Sequence, residues 1–169
     1  MHAVKKVLDK LLAGASVLLF AVLVIDVVWQ VFSRQVLRDP STWSEELARY
    51  TFVWLGFFAA ALVFSERGHI AVDFVVRKLP GGVQRAMSVL VQLLIIAFAV
   101  IVLVWGGWRA AMGAWGQNLT ALPTTIGPMY MVMPITGVLI AFYAIYHIFA
   151  VLRREEDVVE ADAEIDEAI

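Results

Sequence analysis

Apolar residues gather in four long runs separated by polar connections, at about 11–32, 47–65, 83–108 and 130–152. A helix that crosses a bilayer needs about 20 mostly apolar residues, and each run is close to that length or exceeds it. Interruptions are few: Asp26 and Gln30 in the first run, Arg49 near the start of the second, and Pro134 near the entrance of the fourth. The pattern predicts an all-α integral membrane domain of four spans over residues 1–154. An interfacial amphipathic helix is expected over about 33–46, before the second span. The first run begins with Lys5, Lys6 and Lys10, as a signal peptide would. Its apolar stretch is too long for one, it contains Asp26, and no small-residue cleavage site follows. It is therefore expected to stay as a span.

Composition agrees with this reading. The 169 residues are 62% hydrophobic and 17% charged, against roughly 45–50% apolar for a soluble domain. Too little polar surface remains for a soluble enzyme, so no enzymatic activity is expected. The chain has no cysteine, which excludes disulfides, thiolate metal sites and cysteine nucleophiles. The net charge of −2 averages two unlike regions. Residues 155–169 hold eight acids and no base, whereas residues 1–154 hold 13 bases and seven acids. The acidic stretch reads as a solvated tail.

Lys and Arg near the spans set the orientation. Nine lie in the N-terminal tail, the connection between the second and third spans, and the C-terminal flank. Three lie on the other side: Arg34, Arg38 and Arg109. Both termini are expected in the cytoplasm, with the uncharged connection 110–128 on the outer face. Trp105, Trp108, Trp115 and Tyr130 flank that connection as an aromatic belt would.

Few residues can carry chemistry. Asp26 is the one acid deep in a span, and an intramembrane acid is a functional candidate. It can bind an ion, relay a proton, pair with Gln30 or Arg49, or hydrogen-bond structurally near the outer end of a tilted helix. His69 and His147 are not at metal-ligand spacing, so neither metal nor cofactor is expected. Two other functions use these residues: a small proton-coupled exporter built on Asp26, and a haem or quinone anchor built on the histidines. No phosphate loop or nucleophile elbow is present, and no nucleic acid is expected as a partner. Gly56 with Ala60, and Gly137 with Ala141, are small residues four apart, a spacing that lets helices approach closely.

The most organised stretch runs from Ser41 to Asp73. Ser44 is a plausible N-cap, and Glu45 and Glu46 suit a helix start. Glu45 and Glu46 stand four and three residues before Arg49, so either can pair with it on one helix face. Trp43 and Tyr50 also fit an ordinary interfacial helix start.

The block Trp43-Ser44-Glu45-Glu46-Leu47-Ala48-Arg49-Tyr50 is followed by Trp54, then by His69-Ile70-Ala71-Val72-Asp73. Leu122-Pro123, Pro128-Met129-Tyr130 and Pro134-Ile135 lead into the last span. With these features the chain resembles the small membrane subunit, of DctQ/SiaQ type, of tripartite ATP-independent periplasmic (TRAP) transporters. The resemblance covers nearly the whole chain. It implies a bacterial inner-membrane protein without cofactor, and two partners: a large membrane subunit of DctM/SiaM type and a periplasmic substrate-binding protein. It further implies sodium-coupled uptake of an organic acid such as a dicarboxylate or sialic acid, with the sodium and substrate sites on the large subunit and this chain as a static scaffold. Trp43, Glu45, Glu46, Arg49, Tyr50, Trp54, His69 and Asp73 are then expected to form a partner interface or a structural charge cluster.

Overall fold

The computed structural model describes residues 2–65 and 81–152; His69, Asp73 and the acidic tail lie outside them. The first span is α1 (His2–Phe32), which continues as a π-helical turn over Ser33–Leu37. The second is α2 (Thr42–Ser65). The third joins α3 (Gly81–Phe98), a π-helical stretch over Ala99–Gly106, and α4 (Gly107–Gly113). The fourth is the short α5 (Ile126–Tyr130) followed by α6 (Val132–Leu152). All four are long and apolar enough to cross a membrane, and no strand occurs among the described residues.

The separate interfacial helix expected over 33–46 does not form. Residues 33–37 extend the first span, Arg38 takes a left-handed conformation at φ 55° to end it, and Thr42 already begins α2. Reversal takes only a few residues because the Arg38 and Asp39 amides both donate to the Ser33 carbonyl. Too little chain remains between the spans for a helix of its own.

The first span packs on the second, the second on the fourth, and the fourth on the third. Half of the fourth span's apolar stretch is buried, against 11% of each of the others. It is the central post, and the other three spans turn most of their apolar surface outward. The core gathers Leu12, Ala61, Ala99, Leu103, Ile140 and Tyr143. In the third span the buried residues Ala99, Leu103, Gly107 and Ala111 recur every four positions. An α-helix of 3.6 residues per turn would carry that row off its face; the wider π turns hold it on the fourth span.

Glycine lets these two spans touch. A Cβ on Gly137 would lie 2.7 Å from the Leu103 Cβ and 3.0 Å from the Ala99 carbonyl. A Cβ on Gly107 would lie 2.6 Å from the Met133 Cβ. Ala141, one turn beyond Gly137, also packs against the core. Gly56 behaves otherwise: it is exposed with nothing within 4 Å, and Ala60 is half-buried. Of the two small-residue pairs, the one in the fourth span makes a close approach within this chain.

Candidate functional site

The site lies at the end of the bundle away from the N-terminus. It is built where the start of α2 meets the connection before the fourth span. Ser44, expected as a cap, sits inside the first turn of α2 and donates its hydroxyl to the Ser41 carbonyl at 2.8 Å. The Ser41 and Ser44 hydroxyls are 2.6 Å apart, and Ser33 reaches Ser41 at 3.4 Å. A small hydroxyl cluster therefore ties the end of the first span to the start of the second.

This anchored turn points Glu46 at the loop. Its carboxylate, 8% exposed, accepts the backbone N–H of Thr120, Ala121 and Leu122, each at 3.0 Å, together with the Thr120 hydroxyl. Three successive amides that converge on one carboxylate form an anion-binding concavity, here filled by the chain's own acid. The loop is also tied internally. Leu119 donates to the Thr124 carbonyl, Ile126 to Gln117, and Asn118 and Thr125 form an isolated bridge. Two turns below Glu46 along α2, the Trp54 indole N–H donates to the Met129 carbonyl at 3.1 Å, at the offset between α5 and α6. Its ring meets Phe58 edge-on.

The charge pairing expected at Arg49 is absent. Glu46 turns to the loop, and neither Glu45 nor Glu46 forms an ion pair with Arg49. Both Arg49 and Glu45 are exposed. With Thr42, Glu46, Thr120 and Ala121 they line an open cavity of about 310 Å³. Trp43 is exposed beside the helix start and Tyr50 is half-buried.

Asp26 lies within the seam between the first two spans. It is 5% exposed, and neither carboxylate oxygen has a hydrogen-bond partner among the described residues. The Asp9–Ser65 and Ser33–Ser41 contacts fix an antiparallel register that brings Asp26 level with Ala48. Asp26 and Arg49 are thus neighbours in height without a bond.

A second polar cluster closes the opposite end of the bundle, and it escaped the sequence reading. Asp9 accepts the Ser65 hydroxyl at 2.6 Å and the Tyr143 hydroxyl at 2.8 Å, and pairs with Lys5 at 3.0 Å. One carboxylate thereby joins the first, second and fourth spans. The signal available was the Lys5–Asp9 spacing of four; Ser65 and Tyr143 gave none. His147 is buried in the same region, with its Nε2 3.2 Å from the Ser65 carbonyl. No cluster of metal-ligating side chains occurs among the described residues.

Comparison with known proteins adds the relatives. The profile of the DctQ component of tripartite ATP-independent periplasmic transporters matches residues 23–154. The sialic acid TRAP transporter small permease protein SiaQ of Vibrio cholerae is 25% identical over 169 residues, covering all of this chain and 97% of that protein. The sialic acid TRAP transporter permease protein SiaT of Haemophilus influenzae is 35% identical over 66 residues, 39% of this chain and 11% of that protein. The isethionate TRAP transporter permease protein DctMQ of Oleidesulfovibrio alaskensis is 26% identical over 106 residues, 60% of this chain and 16% of that protein.

Proposed function

The chain belongs to the DctQ family of tripartite ATP-independent periplasmic transporters, and from that premise we propose that it is the stationary buttress of an importer of organic acids. It is a multi-pass inner-membrane protein and a small permease subunit whose partner is the large membrane subunit. In the proposed division of labour the large subunit holds the sodium and substrate sites and moves. This chain stays still and widens the fixed frame. The cargo is a carboxylate of the sialic acid or dicarboxylate class, delivered by a periplasmic binding protein. Both termini face the cytoplasm, so that the loop held by Glu46 faces the periplasm.

The observation that carries this reading is where the chain's paired acids are committed. Carrying an anion and cations needs several polar groups converging near the membrane midplane. Here Glu46 holds the loop before the fourth span, and Asp9 holds the second and fourth spans. Both stiffen the bundle at its ends. Within the charge cluster, Glu46 and Trp54 face inward as braces, while Trp43, Glu45 and Arg49 remain outward.

The test is reconstitution. Liposomes holding the large subunit, with the binding protein outside and a sodium gradient imposed, are assayed for uptake of labelled sialic acid and C4-dicarboxylates. Uptake is expected only when this chain is present and sodium is supplied. Full uptake by the large subunit alone would overturn the buttress role, and uptake by this chain alone would overturn the division of labour.

A further inference from the structure

We propose that the cavity between the start of α2 and the loop is a headgroup site for a zwitterionic aminophospholipid, phosphatidylethanolamine, with Arg49 on the phosphate and Glu45 on the ammonium. Arg49 and Glu45 lie one helical turn apart, carry opposite charges, and do not pair with each other or with any other described residue. Glu46, three residues before Arg49, is occupied by three backbone amides and a hydroxyl. Beside the Glu46 carboxylate, already committed to the loop, the cavity presents one uncommitted positive and one uncommitted negative group, together with the Thr42 and Thr120 side chains.

Depth identifies the occupant. A helix rises 1.5 Å per residue, so Arg49 lies roughly 10 Å along α2 from Thr42. The 24 residues of α2 span about 36 Å against a ~30 Å hydrocarbon layer, so at most about 6 Å projects at this end and the Arg49 backbone falls roughly 4–7 Å inside the boundary. A long arginine there extends its guanidinium to the headgroups. The same end of the bundle exposes Trp29, Trp43, Trp108, Trp115 and Tyr130, side chains that settle at this interface. A cavity of about 310 Å³ is in the small-molecule range. An ethanolamine phosphate carries its ammonium two carbons from the phosphate ester oxygen. It therefore offers both countercharges at about the spacing of one helical turn.

Selectivity follows from the same chemistry. The ammonium of ethanolamine donates N–H bonds to the Glu45 carboxylate. Choline has no N–H to donate, and a glycerol headgroup has no cation. All three share the phosphate that Arg49 reads, for which a guanidinium is suited.

The full chain, purified in mild detergent, is titrated with phosphatidylethanolamine, phosphatidylcholine and phosphatidylglycerol of the same acyl chains, and lipid binding is read by native mass spectrometry. Phosphatidylethanolamine is expected to bind about tenfold tighter than the other two, the worth of one charge-assisted contact. Glu45→Gln should bring phosphatidylethanolamine down to the level of phosphatidylglycerol, and Arg49→Gln should weaken all three. Equal binding of the three lipids by the unaltered chain would overturn the proposal without any variant. So would a phosphatidylethanolamine preference that survives Glu45→Gln. If lipid binding is unchanged in both variants but the large subunit no longer co-purifies, the cavity is a protein contact and the lipid assignment is wrong. Transport by the assembled importer is not read in this experiment, so the buttress reading stands or falls separately.

Discussion

Gly137→Ala sets two known effects against each other. In a helix interior, alanine is favoured over glycine by roughly 0.5–1 kcal/mol because it loses less backbone freedom. Opposing this, the added carbon on Gly137 would lie 2.7 Å from the Leu103 Cβ, 2.9 Å from Val104 Cγ2 and 3.0 Å from the Ala99 carbonyl oxygen. Carbon–carbon contacts are comfortable at about 3.5–4.0 Å, so the third and fourth spans would have to separate by close to 1 Å. A Cβ and a backbone carbonyl cannot rotate away as a side-chain tip can. Overpacking of this kind costs about 1–3 kcal/mol, and the seam it opens belongs to the central post of the bundle. The clash wins, and a net loss of about 1–2 kcal/mol is expected. Gly56→Ala is the matched control. Nothing lies within 4 Å of its added carbon, so only the helix preference remains, and it should stabilise by up to about 1 kcal/mol. Thermal unfolding of the two variants in the same detergent, followed by tryptophan fluorescence, should move in opposite directions. If Gly137→Ala unfolds no earlier than the unaltered chain, the close glycine contact is not what sets the spacing of these spans.

Other substitutions probe the polar braces. Glu46→Ala should free the loop, so that the Ala121 and Leu122 amides exchange with deuterium faster; unchanged protection would mean that the loop's own hydrogen bonds suffice. Tyr143→Phe removes one donor from Asp9 and should cost about 1 kcal/mol, measured as an earlier unfolding midpoint. If Tyr143→Phe costs the same in an Asp9→Ala background, which has no acceptor left, the two residues do not act as a pair. Arg38→Gly relieves a left-handed residue and should raise stability by about 1 kcal/mol, checked by the same unfolding assay; a loss instead would show that the Arg38 side chain holds the turn.

Legibility in the sequence was uneven, for physical reasons. Glu46 stands at the head of an apolar run and Trp54 within it, and each proved to need a partner. Spacing on one helix face offers Arg49 as a partner to Glu45 and equally to Glu46. The structure gave Glu46 amides 74 to 76 positions away. Backbone N–H groups carry no residue identity, so an uncharged loop hides an anion cradle from any reading of side chains. Asp9 carries no mark in the sequence, since it stands among lysines ahead of the first apolar run. Its partners Ser65 and Tyr143 lie at the ends of other spans, where nothing marks them. Gly56–Ala60 and Gly137–Ala141 look alike as text, yet one faces outward and the other touches the third span.

What the sequence alone determined was the number of spans, their approximate places and the family, because bilayer thickness imposes a run length that single-chain hydropathy reveals and because the charged block at residues 43–50 is local. Only the tertiary structure decided which span is central, which glycine is packed, and which acid is braced and which left open. Those outcomes depend on contacts between helices whose apolar faces are nearly interchangeable in composition, so they are settled by shape and by the few polar groups that must find donors away from water.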